Sequence, residues 1–154
     1  MLDDLRDLYQ EVILDHGKRP RNFRHPDDAN KLAHGQNPMC GDTLVVYLTV
    51  DDAGTITDCA FKGKGCAIST ASASMMTELL KGKTVDEAER LFEAFHKLCT
   101  SDDPPSAEGV AEEDLDRLQV LSGVRTFPVR VKCATLAWHT MHAALEGREE
   151  VSTE

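Results

Sequence analysis

Three cysteines and one aspartate stand out by what surrounds them. Cys66 follows Gly63-Lys64-Gly65 and precedes Ala67-Ile68-Ser69, a glycine turn that opens a helix. Glycines at 63 and 65 permit backbone angles that residues with a Cβ avoid. A thiol at a helix N-terminus faces unsatisfied N–H groups and the positive end of the dipole, so its thiolate is favoured. Cys40 and Asp42 lie two apart in the turn-rich stretch Asn37-Pro38-Met39-Cys40-Gly41-Asp42, where Gly41 lets both point at one ion. Cys133 sits near the start of a later helix. Thiolates and a carboxylate in such a set suit tetrahedral zinc, and a thiolate is also the species that attacks sulfur. The competing reading makes each cysteine a small buried hydrophobe. Spacing alone leaves both open, because the chain has no Cys-x-x-Cys pair. The zinc deaminase and His-Glu-x-x-His signatures are also missing from the sequence.

A β-hairpin must bring the first two cysteines together. Residues 43–50 are β-rich, Asp51-Asp52-Ala53-Gly54 is a turn signal, and residues 55–62 alternate, with Ile56 and Phe61 as core positions. Antiparallel pairing places the start of the first strand beside the end of the second. Cys40 and Cys66 are therefore predicted to be neighbours in space. The small residues after Cys66 let other segments approach closely.

The remaining elements frame this hairpin. Residues 3–17 carry Leu5, Leu8, Tyr9, Val12 and Ile13 at helical spacing, ended by Gly17. Residues 18–31, with Pro20 and Pro26, read as an extended loop. A helix over 67–81 stops at Gly82, and Thr84 with Glu87 forms a capping box for another that runs to about Lys97. Residues 100–114 are acidic and proline-containing and read as a surface loop. Leu115, Leu118 and Leu121 suggest a short helix, and a final helix runs through about Leu145. Residues 149–154 are expected to fray.

Composition excludes several classes. A chain of 154 residues suggests one domain with a real core and no need of disulfides. A net charge of −10 without a basic run argues against nucleic acid and anionic membranes. No apolar stretch approaches the roughly 20 residues of a membrane span. Residues 1–6 are acidic and amphipathic, unlike a signal peptide, which points to the cytoplasm. There the five cysteines would be reduced, and their odd number and wide spacing also argue against a disulfide framework.

Asn37-Pro-Met-Cys40-Gly-Asp42, Gly63-Lys-Gly-Cys66-Ala-Ile-Ser and Arg130-Val-Lys-Cys133-Ala resemble, in order, the three cysteine motifs of the NifU/IscU-like iron–sulfur cluster assembly proteins. The resemblance implies an α+β domain over residues 1–148, a small antiparallel sheet of about three strands covered by helices, SufE/NifU-like. It also implies a site for zinc or a nascent iron–sulfur cluster. IscU-type scaffolds carry a histidine immediately before the third cysteine. Here that residue is Lys132, and an acidic insertion over 100–121 lengthens the segment before it. Both features resemble the SufU branch.

That branch implies a zinc-dependent, sulfurtransferase-like carrier. It would take persulfide sulfur from a SufS-type, pyridoxal-phosphate-dependent cysteine desulfurase and serve downstream Suf assembly proteins. Cys40, Asp42, Cys66 and Cys133 would be the metal ligands. Cys40, on a Pro/Gly loop, is the expected acceptor, because Cys66 is pinned at a helix start; Cys133 remains the alternative. The resemblance further implies that a desulfurase histidine takes the place of Cys40 on zinc. Two other readings use the same residues: a scaffold that assembles a [2Fe-2S] cluster and passes it on, and a protein whose zinc is purely structural. Arg130 is read either as a partner for acidic groups at the site or as a surface residue.

Other candidates are set aside. Cys59 lies within a strand and reads as a core thiol. Cys99 ends a helix beside the acidic loop and is expected near the surface. His139 and His142 share an i, i+3 helical face but lack a carboxylate-rich pattern around them. His16 and His34 flank loops, and Met75 and Met76 read as core.

Overall fold

The computed structural model describes residues 2–38, 41–100 and 110–152. In chain order these form α1 (Leu2–Lys18), β1 (Lys31–Asn37), β2 (Asp42–Val50), β3 (Ile56–Lys64), α2 (Ala67–Leu80), α3 (Val85–Thr100), α4 (Glu112–Leu118), a 3-10 segment (Gln119–Thr126), α5 (Pro128–Leu145) and β4 (Glu150–Ser152). The strands make one sheet in the order β3-β2-β1-β4. β1, β2 and β3 pair antiparallel, and β4 runs parallel to β1. The α+β class is as expected, with one strand more than the sequence suggested.

The period-2 alternation of each strand decides which side chains meet the helices. Ala33, Gly35 and Asn37 of β1 point inward, as do Leu44, Val46 and Leu48 of β2 and Cys59 and Phe61 of β3. Register lines them up in rows: Ala33 opposite Val46 and Val46 opposite Phe61, then Gly35 opposite Leu44. The next row pairs Asn37 with Asp42. The covered face is thus apolar along its length and polar in its last row, where both side chains are buried.

The helices cover that face because their own apolar sides need a surface. α5 packs across β1 and β2, α2 against β3 and α5, and α1 and α3 lie outside on α2 and α5. α5 approaches so closely that a Cβ on Gly35 would fall on Thr140 Oγ1. Trp138 of α5 and Phe95 of α3 meet at a ring-centroid distance of 5.0 Å in the middle of the core. The small residues of α2 do what their size suggests. Ala71, Ser72, Ala73 and Ser74 are buried, and Ser72 Oγ donates to the Ala134 carbonyl of α5 at 2.5 Å. Ser74 Oγ accepts from the Arg21 amide at 2.8 Å and meets His16 Nδ1 at 2.7 Å, which ties α1 to α2.

Several local expectations hold. Gly82 follows α2 at φ +85°, and Thr84 and Glu87 exchange the two capping-box hydrogen bonds at 3.0 and 3.2 Å. Asp51 Oδ1 accepts from the Ala53 and Thr55 amides at 3.0 and 2.9 Å, which fixes the hairpin turn.

Others are corrected. Residues 31–37 form a strand that the sequence does not advertise: its inward positions are alanine, glycine and asparagine, small because α5 lies directly on them. Residues 150–152 were expected to fray and instead add β4 to the β1 edge. α3 continues to Thr100, and Cys99, expected near the surface, is 1% exposed because α4 and the 3-10 segment pack against α3. Leu118, Leu121 and Val124 supply the apolar side of that packing. Most of the acidic loop, residues 101–109, lies outside the described residues.

Candidate metal centre

The polar last row of the sheet is the floor of the site. Asp42, the first residue of β2, is 1% exposed. It points inward under the start of α2, because β2 begins where β3 ends: Thr43 pairs with Lys64. Two glycines make the crossing from β3 into α2 possible, for different reasons. Gly63 has φ +151°, and a Cβ there would overlap the Thr43 carbonyl oxygen and Leu44 Cα. Gly65 is needed for room rather than for its backbone angle, since it is not among the positive-φ residues. A Cβ at 65 would stand 2.9 Å from Asp42 Oδ1.

The space left open lets the Cys66 amide donate to Asp42 Oδ1 at 2.9 Å. Cys66 is the N-cap of α2, and its Sγ accepts from the Ser69 amide at 3.4 Å. The sequence expectation of a thiol at a helix start is therefore met in detail. The same Sγ lies 3.8 Å from Asp42 Oδ2. Cys133 arrives from the other side, in the second turn of α5, and is 3% exposed. Its Sγ lies 3.7 Å from Asn37 Nδ2.

Asp42, Cys66 and Cys133 thus each offer one atom, and these atoms lie within 4.8 Å of one another. Among the described residues no other group of three histidine, cysteine or acidic side chains converges in this way. Ligands at zinc bond lengths of roughly 2.0–2.3 Å stand about 3.5–3.8 Å apart in a tetrahedron. Two sulfurs and one carboxylate oxygen at this separation fit zinc or iron with only small closure. Asp42 and Cys133 are buried while Cys66 is exposed, so the donor set opens to solvent on one side. Cys40, predicted to complete the set, lies outside the described residues. The loop carrying it is closed by a hydrogen bond from the Gly41 amide to the Asn37 carbonyl at 2.9 Å.

Other candidates lie elsewhere. Cys59 is fully buried in β3, and burial pushes its thiol well above the usual range. Burial pushes Cys99 up to about 12. Neither is a thiolate at neutral pH, in keeping with a core role. His142 sits between Glu89 and Glu146, at 2.7 and 3.2 Å, and His139 packs edge-on against Phe92 at 5.2 Å. Arg130 is exposed and lies 4.9 Å over the Phe127 ring. Asn37, wholly buried at the site, went unremarked in the sequence. Its signal was available: it is the first residue of the first cysteine motif.

The sequence pattern of the NifU-like N terminal domain matches residues 8–133, ending on the third cysteine. The iron–sulfur cluster assembly scaffold protein IscU of Streptococcus pyogenes serotype M1 is 40% identical over 146 residues, 94% of this chain and 87% of that protein. The zinc-dependent sulfurtransferase SufU of Bacillus subtilis is 38% identical over 146 residues, 95% of each chain. A crystal structure from Fervidobacterium islandicum, described as an iron–sulfur cluster assembly scaffold protein for the SUF system, superposes with a TM-score of 0.78 at 32% identity. It covers 88% of this chain and 94% of its own. A pattern that spans residues 8–133, and relatives this similar over nearly the whole chain, show that it belongs to the NifU-like N terminal domain family.

Proposed function

We propose that this protein is an iron–sulfur cluster assembly protein that works as a zinc-dependent sulfur acceptor, taking persulfide sulfur from a SufS-type cysteine desulfurase. The carrying observation is the convergence of Asp42, Cys66 and Cys133 at one solvent-open point. These three, with Cys40, would hold zinc. Bound zinc would supply the positive charge that keeps the thiols deprotonated at neutral pH.

The chain's own residues divide the work. Cys66 is pinned as the N-cap of α2 by the Ser69 amide, and Cys133, on the second turn of α5, is buried, so neither suits sulfur transfer to and from a partner. Cys40, on the loop between Asn37 and Asp42, is the acceptor. Its thiolate attacks the outer sulfur of the donor's persulfide, a new S–S bond forms at Cys40, and the donor's S–S bond breaks. The desulfurase cysteine leaves as a thiolate, so one thiolate is consumed and one released with no net oxidation. Lys132 stands where a scaffold would carry a histidine and so offers no imidazole nitrogen to a metal, which favours a carrier over a cluster scaffold. Reduced thiols of this kind suit a reducing, cytoplasmic setting. The scaffold reading keeps one argument of its own: two of the relatives above are described as scaffold proteins.

The test is metal content after aerobic purification, followed by alanine production by a SufS-type desulfurase. One tightly held zinc, with desulfurase turnover raised by the wild type and not by Cys40→Ala, is the expected result. A protein that assembles and hands on a cluster without raising turnover would replace this reading with the scaffold.

A further inference from the structure

Asn37 is out of place for a core residue. It is 0% exposed, on the inward row of β1. Its Oδ1 is one of two buried side-chain atoms without a hydrogen-bond partner among the described residues; the other, Thr49 Oγ1, lies towards the opposite end of β2. Buried amides are normally satisfied at both ends, and an apolar residue here would avoid the orphaned acceptor. What its side chain does have is a donor contact, Nδ2 to Cys133 Sγ at 3.7 Å, and outside the strand ladder its carbonyl accepts from the Gly41 amide. One residue therefore touches the buried thiol with its side chain and closes the Cys40 loop with its backbone.

We propose that Asn37 is a positioning residue for the third thiol of the site: its amide donor orients the Cys133 sulfur and lowers its reactivity. The inference rests on the metal-thiolate reading above. An N–H donor withdraws charge from a thiolate, makes it a weaker nucleophile, and fixes its orientation as a ligand. Only the nitrogen end of the amide can serve an anionic sulfur, so the oxygen end is left without a partner. Asp42 and the Ser69 amide play the corresponding parts at Cys66.

The test uses Asn37→Leu, close in size but without the donor, and Asn37→Ala, which adds no bulk. Cobalt(II) is the probe in place of zinc. The expected result in both variants is a shift of the thiolate-to-cobalt charge-transfer band to longer wavelength. With it, iodoacetamide should label Cys133 of the cobalt-loaded protein about tenfold faster, the scale of a lost hydrogen bond to a charged group, as read by peptide mass mapping. An unchanged band and unchanged labelling in folded, cobalt-binding variants would overturn the inference and leave the metal reading intact. Failure of both variants to fold would also overturn it, in favour of a purely architectural Asn37. A wild type that takes up no cobalt would remove the metal reading and this inference with it.

Discussion

The chain keeps its cysteines in two kinds of place. Cys59 and Cys99 sit in the apolar interior, where burial is the chief influence and pushes both thiols upward. Cys66 and Cys133 sit at the polar end of the sheet, where each sulfur has an amide donor nearby and a carboxylate shares the space. Cys133 is nearly as buried as Cys99. Depth therefore does not separate the groups; what each sulfur faces does. A buried sulfur without donors stays a neutral filler, and one beside N–H groups and a second thiol becomes a ligand candidate.

Breaking the polar end should have the largest effect. If the donor set holds zinc as proposed, Cys66→Ala and Asp42→Ala should each weaken its binding by at least about 100-fold in chelator competition, since each removes one of the convergent donors. Stripping the metal from zinc-loaded wild type should lower its melting temperature by roughly 10 °C, the scale expected when a tightly bound ligand is withdrawn from a chain of this size. Equal metal content in Cys66→Ala and Cys99→Ala would erase the distinction between the two groups.

A subtler change sharpens the comparison. Gly65→Ala places a methyl group 2.9 Å from Asp42 Oδ1, and should weaken zinc binding by about 10–100-fold, as outer contacts to metal ligands do. Thermal melts of the metal-free protein would separate this from a general loss of stability.

In the interior the expectation reverses. Cys99→Ala should keep its zinc and lose about 1–2 kcal/mol of stability to the cavity it leaves, measured by denaturant titration. A loss of zinc there would mean that the interior thiol belongs to the site after all.

The smallest effect concerns pH. Burial, with His96, His142 and Arg148 nearby, holds His139 below its usual 6.5. Burial, aided by Arg21, does the same to His16. Unfolded chains bind these protons first as the pH falls. The stability contribution is therefore complete above about 6.5 and is lost progressively as pH drops towards the depressed folded values. Denaturant midpoints should fall between pH 7 and 5.5, and His139→Gln should flatten that slope. An unchanged slope would show that the interior does not resist charge as its cysteines imply.

Much of this was legible in the chain. The hairpin over β2 and β3 followed from alternation and the Asp51–Gly54 turn, and it forecast that the Asp42 end would lie beside Cys66. The capping box at Thr84 and Glu87 was written in two residues. β1 was not legible, because a strand pressed under a helix needs small inward residues, and Ala33, Gly35 and Asn37 carry no β signal. Cys99 was misplaced because nothing local says that Leu118 and Leu121 fold back over the end of α3.

The sequence by itself determined the chemistry available: three cysteine motifs in order, a carboxylate two residues from the first, and glycines before the second. Those are local facts, set by residue type and spacing. Only the tertiary structure decided that Cys133 joins Asp42 and Cys66, that Gly65 is glycine to make room for a carboxylate, and that Asn37 faces a sulfur. The first and third depend on α5 crossing β1, the second on the register of β2 and β3. These are contacts between residues up to 96 positions apart, and they exist only once burial has fixed which faces meet.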